Sequence, residues 1–266
     1  MFNNSVMRPL SAFQGKIKYL FHDIDDTITT EGQLPAAAYE ALWRLKDHGI
    51  LVIPVTGRPA GWCEMIARFW PVAGVIGENG ALYFRYYQHK MSRSYALSEK
   101  KRVQARTSLD EIIAPEILKK VKGARIASDQ FCRLFDLAID YAEDVKPLPD
   151  SSVQKIQSVF KEHGATSKVS SIHVNGWFGN YDKVTMCKRF AKHELDLDLA
   201  SPKGQKFSAF VGDSPNDEPS FQYFKNSFAV ANIKKFATQL KSPPQYISKK
   251  RGGEGFVEIV NHLIFL

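Results

Sequence analysis

Cysteine is scarce: Cys63, Cys132 and Cys187 are the only three among 266 residues, odd in number and widely separated. No full disulfide framework and no CxxC metal site can be built from them, and a reducing compartment is the simpler expectation. Long apolar runs are missing too, since no uninterrupted stretch approaches the roughly 20 residues that span a bilayer. The first twenty residues carry Arg8, Lys16 and Lys18 and lack the apolar centre of a signal peptide, so a cytoplasmic protein with no membrane contact is expected. There is no Gly/Ser linker, low-complexity tract or internal repeat. Basic residues gather only in short clusters such as Lys100-Lys101-Arg102 and Lys249-Lys250-Arg251, without the length or aromatic interleaving of a nucleic-acid groove. They are read as solvated surface, and no specific nucleic acid is expected as a partner.

What is present suits a globular protein, because 44% hydrophobic residues can supply a sizeable core at this length. The net charge of +8, from 36 Lys+Arg against 28 Asp+Glu, favours anionic partners of any kind, metabolite phosphates included.

Ile17 to His22 is a short run of strand formers that stops at Asp23, as a buried strand entering a loop would. Between Pro35 and His48 the residues Ala38, Leu42 and Leu45 recur at helical spacing, with Gly49 as a stop. Ile50 to Val55 is a second apolar run, ending at Thr56-Gly57-Arg58. A helix over Pro59–Phe69 and a third run, Gly74 to Gly77, continue the alternation, which recurs at Phe207–Val211 and Ser227–Val230. Strand, helix, strand in this order predicts an α/β fold with a doubly wound parallel sheet.

The middle reads differently. A polar stretch runs from Tyr86 to about Thr107. Helices are predicted over Ser108–Val121 and Ser151–His163, and strands over Leu134–Tyr141 and Lys168–Phe178. This predicts an inserted α+β domain over 86–180 within a core made of 1–85 and 181–266.

Ligands of open α/β sheets collect outside the carboxyl ends of the strands. That rule selects Asp23, Asp25, Thr27, Thr56, Asn79, Asp213, Asn216, Asp217 and Asn232. Four of these are carboxylates converging from two distant segments, and their repulsion calls for a cation. Oxygen ligands without His or Cys favour Mg²⁺. A carboxylate beside a hard dication can attack a phosphoryl group, so Asp23 is the expected nucleophile and Asp25, two residues on, the expected acid and then base. Thr56 and the Gly57 amide are expected to donate to phosphoryl oxygens, and Lys183 to add a fixed positive charge.

These residues resemble the haloacid dehalogenase superfamily, in its subfamily IIB, Cof-like sugar-phosphate phosphatase branch with a C2-type cap. Asp23-Ile-Asp25-Asp-Thr27 stands for its DxDxT, Thr56-Gly57-Arg58 for its second motif, Lys183 for its third, and Gly212-Asp213-Ser-Pro-Asn216-Asp217 for its fourth. Gly77-Glu78-Asn79-Gly80-Ala81 resembles the segment leading into the cap, whose place between the second and third motifs also matches. The resemblance implies a Mg²⁺-dependent phosphatase acting on a small phosphorylated metabolite, a sugar phosphate by class, through an aspartyl-phosphate. It implies Asp23, Asp25 (through its backbone carbonyl) and Asp213 as metal ligands, Asp217 supporting the metal's waters, and Thr56, Gly57, Arg58, Lys183 and Asn216 around the substrate. Asp26 departs from the pattern where glycine is frequent, and His22 where the family is usually apolar.

A phosphomutase would carry the same motifs, and a non-catalytic binder of phosphorylated ligands or nucleic acid would also suit the positive charge. A monomer or homodimer is expected. Trp177-Phe178 is read as cap packing, Arg125, Arg133 and His173 are candidate cap contacts, and the cap is expected to close over the crevice.

Overall fold

The structure, a computed structural model, describes residues 7–265. Six parallel strands form the main sheet in the order Arg8–Pro9, Tyr246–Ile247, Asn226–Ala229, Ser208–Gly212, Tyr19–His22, Leu51–Pro54. Successive residues of the central strands enter opposite hydrophobic clusters: Leu20, Ala209 and Val211 on one side, Phe21 and Phe210 on the other. Burial on both faces explains why these strands read as continuous apolar runs rather than alternating ones.

Helices Ala36–Asp47, Ala60–Phe69 and Gly252–Ile264 cover the first face, and Lys183–Leu195 with Glu218–Tyr223 the second. The doubly wound core is therefore as the sequence predicted.

A four-stranded antiparallel sheet, ordered Arg125–Ile126, Leu137–Asp140, His173–Trp177, Thr166–Val169, packs against Ala114–Lys120 and Asp150–Glu162 around its own apolar cluster. The predicted single strand Lys168–Phe178 is in fact the hairpin formed by its last two members, because the chain reverses at Ser170–Ile172.

The polar stretch after Tyr86 also holds more structure than predicted. Leu82–Tyr87 and Lys90–Tyr95 form a hairpin closed by Gln88 and His89, both at positive φ, without the Asn-Gly pair that signals such a turn. Glu99–Ser108 is a helix with no buried residue, so no apolar stripe announced it. The boundary drawn at residue 86 falls inside a strand, and Met91 and Tyr95 of the hairpin pack on the cluster under the main sheet.

Candidate active site

Parallel register sets the site. His22 pairs with Val211 on one side and Pro54 on the other, so the chain leaves three adjacent strands at the same edge, toward Asp23, Asp213 and Thr56. The Asp23 amide donates to the Val211 carbonyl at 2.9 Å, fixing the first loop to the last motif. Asp26 adopts φ 56°, in the left-handed region, where aspartate is tolerated and glycine is free. His22 is fully buried, and its Nδ1 donates to the Asp23 carbonyl at 2.7 Å. Burial lowers its pKa to about 4, against that hydrogen bond, so it stands neutral in an apolar position.

Asp23, Asp213 and Asp217 each bring a carboxylate oxygen within 4.8 Å of the others, and all three are buried. Lys183 Nζ bridges them from behind, 2.8 Å from Asp23 Oδ1 and 2.9 Å from Asp217 Oδ1. The second Asp217 oxygen accepts from the Asp213 amide at 3.1 Å, and Thr27 Oγ1 donates to Asp213 Oδ1 at 3.2 Å. Burial first, then Asp217 and Asp25 against the pull of Lys183, push the Asp23 pKa up to about 7. Burial, Asp217 and Asp23 raise Asp213 as well. Burial opposes the Lys183 charge, but Asp217 and Asp23 outweigh it and hold the ammonium well above its usual range. Three carboxylates share one buried cation, a deficit of two charges that fits an oxygen-liganded dication.

Lys183 is aimed by its helix, which begins there, with the Asp182 side chain accepting from the Thr185 amide at 2.6 Å. Gly80, at φ 99°, lets the Glu78–Gly80 turn pass this helix start, where a Cβ would overlap the Asp182 carbonyl.

Asp25 stands outside the carboxylate cluster. Both its oxygens accept from Arg58, at 2.8–3.1 Å, and Arg58 also reaches Glu143 of the inserted sheet at 3.0 Å. Thr56 is fully buried and caps its own loop, Oγ1 accepting from the Arg58 amide at 3.0 Å, so Gly57 and Arg58 form the crevice wall instead. Asn216 and Asn79 line the crevice. Asn232, expected there, is a tether: it donates to the Asp26 carbonyl and accepts from the Gly252 amide.

The inserted sheet supplies a roof from Lys168, Ser170, Ser171, His173 and Asn175, with Arg133 at its edge. Lys168 lies opposite Asn175 in the register, a pairing hidden while the segment was read as one strand. Of the three candidate cap contacts, Arg133 and His173 reach the crevice, and Arg125 lies away from it beside Asp144 and Pro147. Arg133 is itself saturated, by Asp129, Asp136 and the Gly57 carbonyl. Trp177 is buried and stacks on Tyr181 at 5.8 Å.

Glu78, for which sequence reasoning found no role of its own, joins the two parts of the molecule. Its carboxylate accepts from the amides of Ala60, Leu134, Phe135 and Asp136 at 2.6–3.2 Å. Burial, with Asp136 nearby, pushes its pKa up to about 7.

Comparison with known proteins agrees with this geometry. A family model of haloacid dehalogenase-like hydrolases matches residues 20–131, taking in Asp23, Asp25 and Thr56-Gly57-Arg58. Among solved structures, the protein 0175 of Thermoplasma acidophilum is similar at TM-score 0.72 and 18% identity, over 94% of this chain and 100% of that one. The sucrose-phosphatase of Synechocystis sp., solved with sucrose and phosphate, gives TM-score 0.63 and 15% identity over 94% and 98%. The subclass IIB sugar phosphatase BT4131 gives 0.62 and 14% over 94% and 100%. At these identities the likeness is one of fold, and it extends past the family model to the segments that carry Lys183 and Asp213. Over residues 20–131, which carry Asp23, Asp25 and Thr56-Gly57-Arg58, the chain matches the haloacid dehalogenase-like hydrolases, and over nearly its whole length it shares the fold of these phosphatases.

Proposed function

We propose that this protein is a Mg²⁺-dependent phosphatase of a small phosphorylated metabolite, a sugar phosphate by class, working through an aspartyl-phosphate on Asp23. The observation that carries the reading is the buried cluster of Asp23, Asp213 and Asp217, with Lys183 as its only ionic partner among the described residues, at the carboxyl edge of a parallel sheet. Sugar-phosphate-directed activity in two proteins of the same fold supports it.

Mg²⁺ held by the Asp23 and Asp213 carboxylates and the Asp25 carbonyl would offset the charge of a phosphoryl group next to an anionic nucleophile. Asp217, spent on Lys183 and the Asp213 amide, keeps the cluster in place. Asp23 Oδ attacks phosphorus, the ester P–O bond breaks, and Asp25 hands its proton to the leaving oxygen. Water then attacks the same phosphorus, Asp25 takes the proton back, and inorganic phosphate leaves Asp23. Arg58 holds both Asp25 oxygens at the edge of the crevice, and the lone pairs it leaves free can carry the transferred proton. Gly57 and Asn216 contact the phosphoryl oxygens, and the inserted sheet excludes water from above.

Phosphate release from p-nitrophenyl phosphate, with and without Mg²⁺, tests this. Release that needs both Mg²⁺ and Asp23 is expected, and equal rates for wild type and Asp23→Asn would refute it.

A further inference from the structure

The crevice above Asp23 has an open volume of only about 30 Å³, room for a phosphoryl group at most. It shares Asp25, Arg58, Ser171 and Ile172 with a second groove of about 390 Å³, within the ~300–1,000 Å³ typical of small-molecule sites. Asp25, the residue that must touch the leaving oxygen, stands at the junction. The groove runs between the loop from Asp26 to Gly32 and the inserted sheet's Ala142-Glu143 and Ser171-Ile172.

Its charge is one-sided. Asp25, Asp26, Glu31 and Glu143 face it, against Arg58 alone, and Arg58 is spent on Asp25 and Glu143. Asp26 and Glu31 have no ion pair among the described residues. Lys168, the one roof cation likewise without an ion pair, adjoins Lys183 and Asn216 at the phosphoryl end and does not line the groove. Among the described residues no aromatic side chain lines the groove either, so a ring has no face to stack on. Beside the junction, His173 is 3% exposed and lines the crevice. Its Nε2 lies 2.8 Å from Glu143 Oε2, so Glu143 is engaged from both sides, by Arg58 and by His173. Unpaired carboxylates accept from hydroxyls and repel anions.

We propose that this groove is the leaving-group site, that it selects an uncharged polyhydroxylated leaving group over an anionic one, and that Glu31 is the specificity-determining residue. The inference rests on the phosphatase reading above. Sorbitol 6-phosphate and 6-phosphogluconate test it, because they share a carbon chain and differ by a hydroxymethyl against a carboxylate at the far end. The wild type is expected to favour sorbitol 6-phosphate in kcat/KM by about tenfold or more at low ionic strength, less as salt is added. Glu31 is an exposed loop residue, so Glu31→Lys tests charge without disturbing the core. In that variant the ratio should fall by about tenfold, and in Glu31→Gln part of the way. A wild-type ratio near or below one, or a ratio unmoved in Glu31→Lys, overturns the proposal. With p-nitrophenyl phosphate as the control, turnover without the predicted preference refutes this inference alone. No turnover of any of the three esters refutes the phosphatase reading and this one with it.

Discussion

Removing the proposed nucleophile's charge should stabilise the metal-free protein. Asp23 is 5% exposed, and its proton is held up to about pH 7 in the fold against 3.8 in an open chain. Each pH unit of that difference is worth about 1.4 kcal/mol, so ionised Asp23 costs the metal-free fold about 4 kcal/mol as an upper bound. The sign follows from proton uptake: a carboxyl with a raised folded pKa contributes its stability below the unfolded value, and loses it as pH rises through the folded one. Asparagine mimics the protonated acid and can still accept from Lys183. Asp23→Asn should therefore raise the unfolding free energy by about 2–4 kcal/mol near pH 8 in chelator, and by almost nothing near pH 4. Saturating Mg²⁺ should reverse the order, because it binds the folded wild type better than the variant. Urea unfolding followed by tryptophan fluorescence reads all of these conditions. A variant less stable than wild type near pH 8 without metal would refute the charge balance drawn for this site.

Lys183→Met removes the buried cation that pairs with Asp23 and Asp217 and should cost about 3–5 kcal/mol near pH 8, less at acid pH, in the same unfolding assay. Glu78→Ala strands four backbone amides, at about 1–3 kcal/mol for each that stays dry, so a loss of at least about 3 kcal/mol is expected in thermal or urea unfolding. Arg58→Lys keeps the charge but not the fork that grips Asp25 and Glu143, and steady-state kinetics should show kcat/KM lower by about tenfold to a hundredfold. Gly80→Ala meets both a positive φ and the Asp182 carbonyl, and should lower stability by about 2 kcal/mol or more.

The core was legible because its strands are buried on both faces and its carboxylates fall at strand ends; Leu20-Phe21 and Asp23 carry both signals within four residues. Lys183 was legible from its place just after the inserted segment and from its likeness to the third motif. Local sequence could not show that Asp25 is held by Arg58, since that pairing depends on how two loops meet. Nor could it tell that Thr56 turns inward to cap its loop. The hairpin ending at Tyr95 and the helix Glu99–Ser108 escaped because one lacks turn residues of the usual type and the other lacks an apolar face. The roof was hidden by a single missed reversal: reading Lys168–Phe178 as one strand separates Lys168 from Asn175, whereas the hairpin sets them side by side.

The proposed covalent catalysis at Asp23 can be tested directly. An acyl phosphate is reduced by borohydride and a free carboxylate is not, so acid quenching during turnover, followed by reduction and peptide mass analysis, should convert Asp23 to homoserine. The product should appear only with substrate and Mg²⁺ both present. Reduction at another aspartate, or none during steady turnover, would contradict Asp23 as the nucleophile.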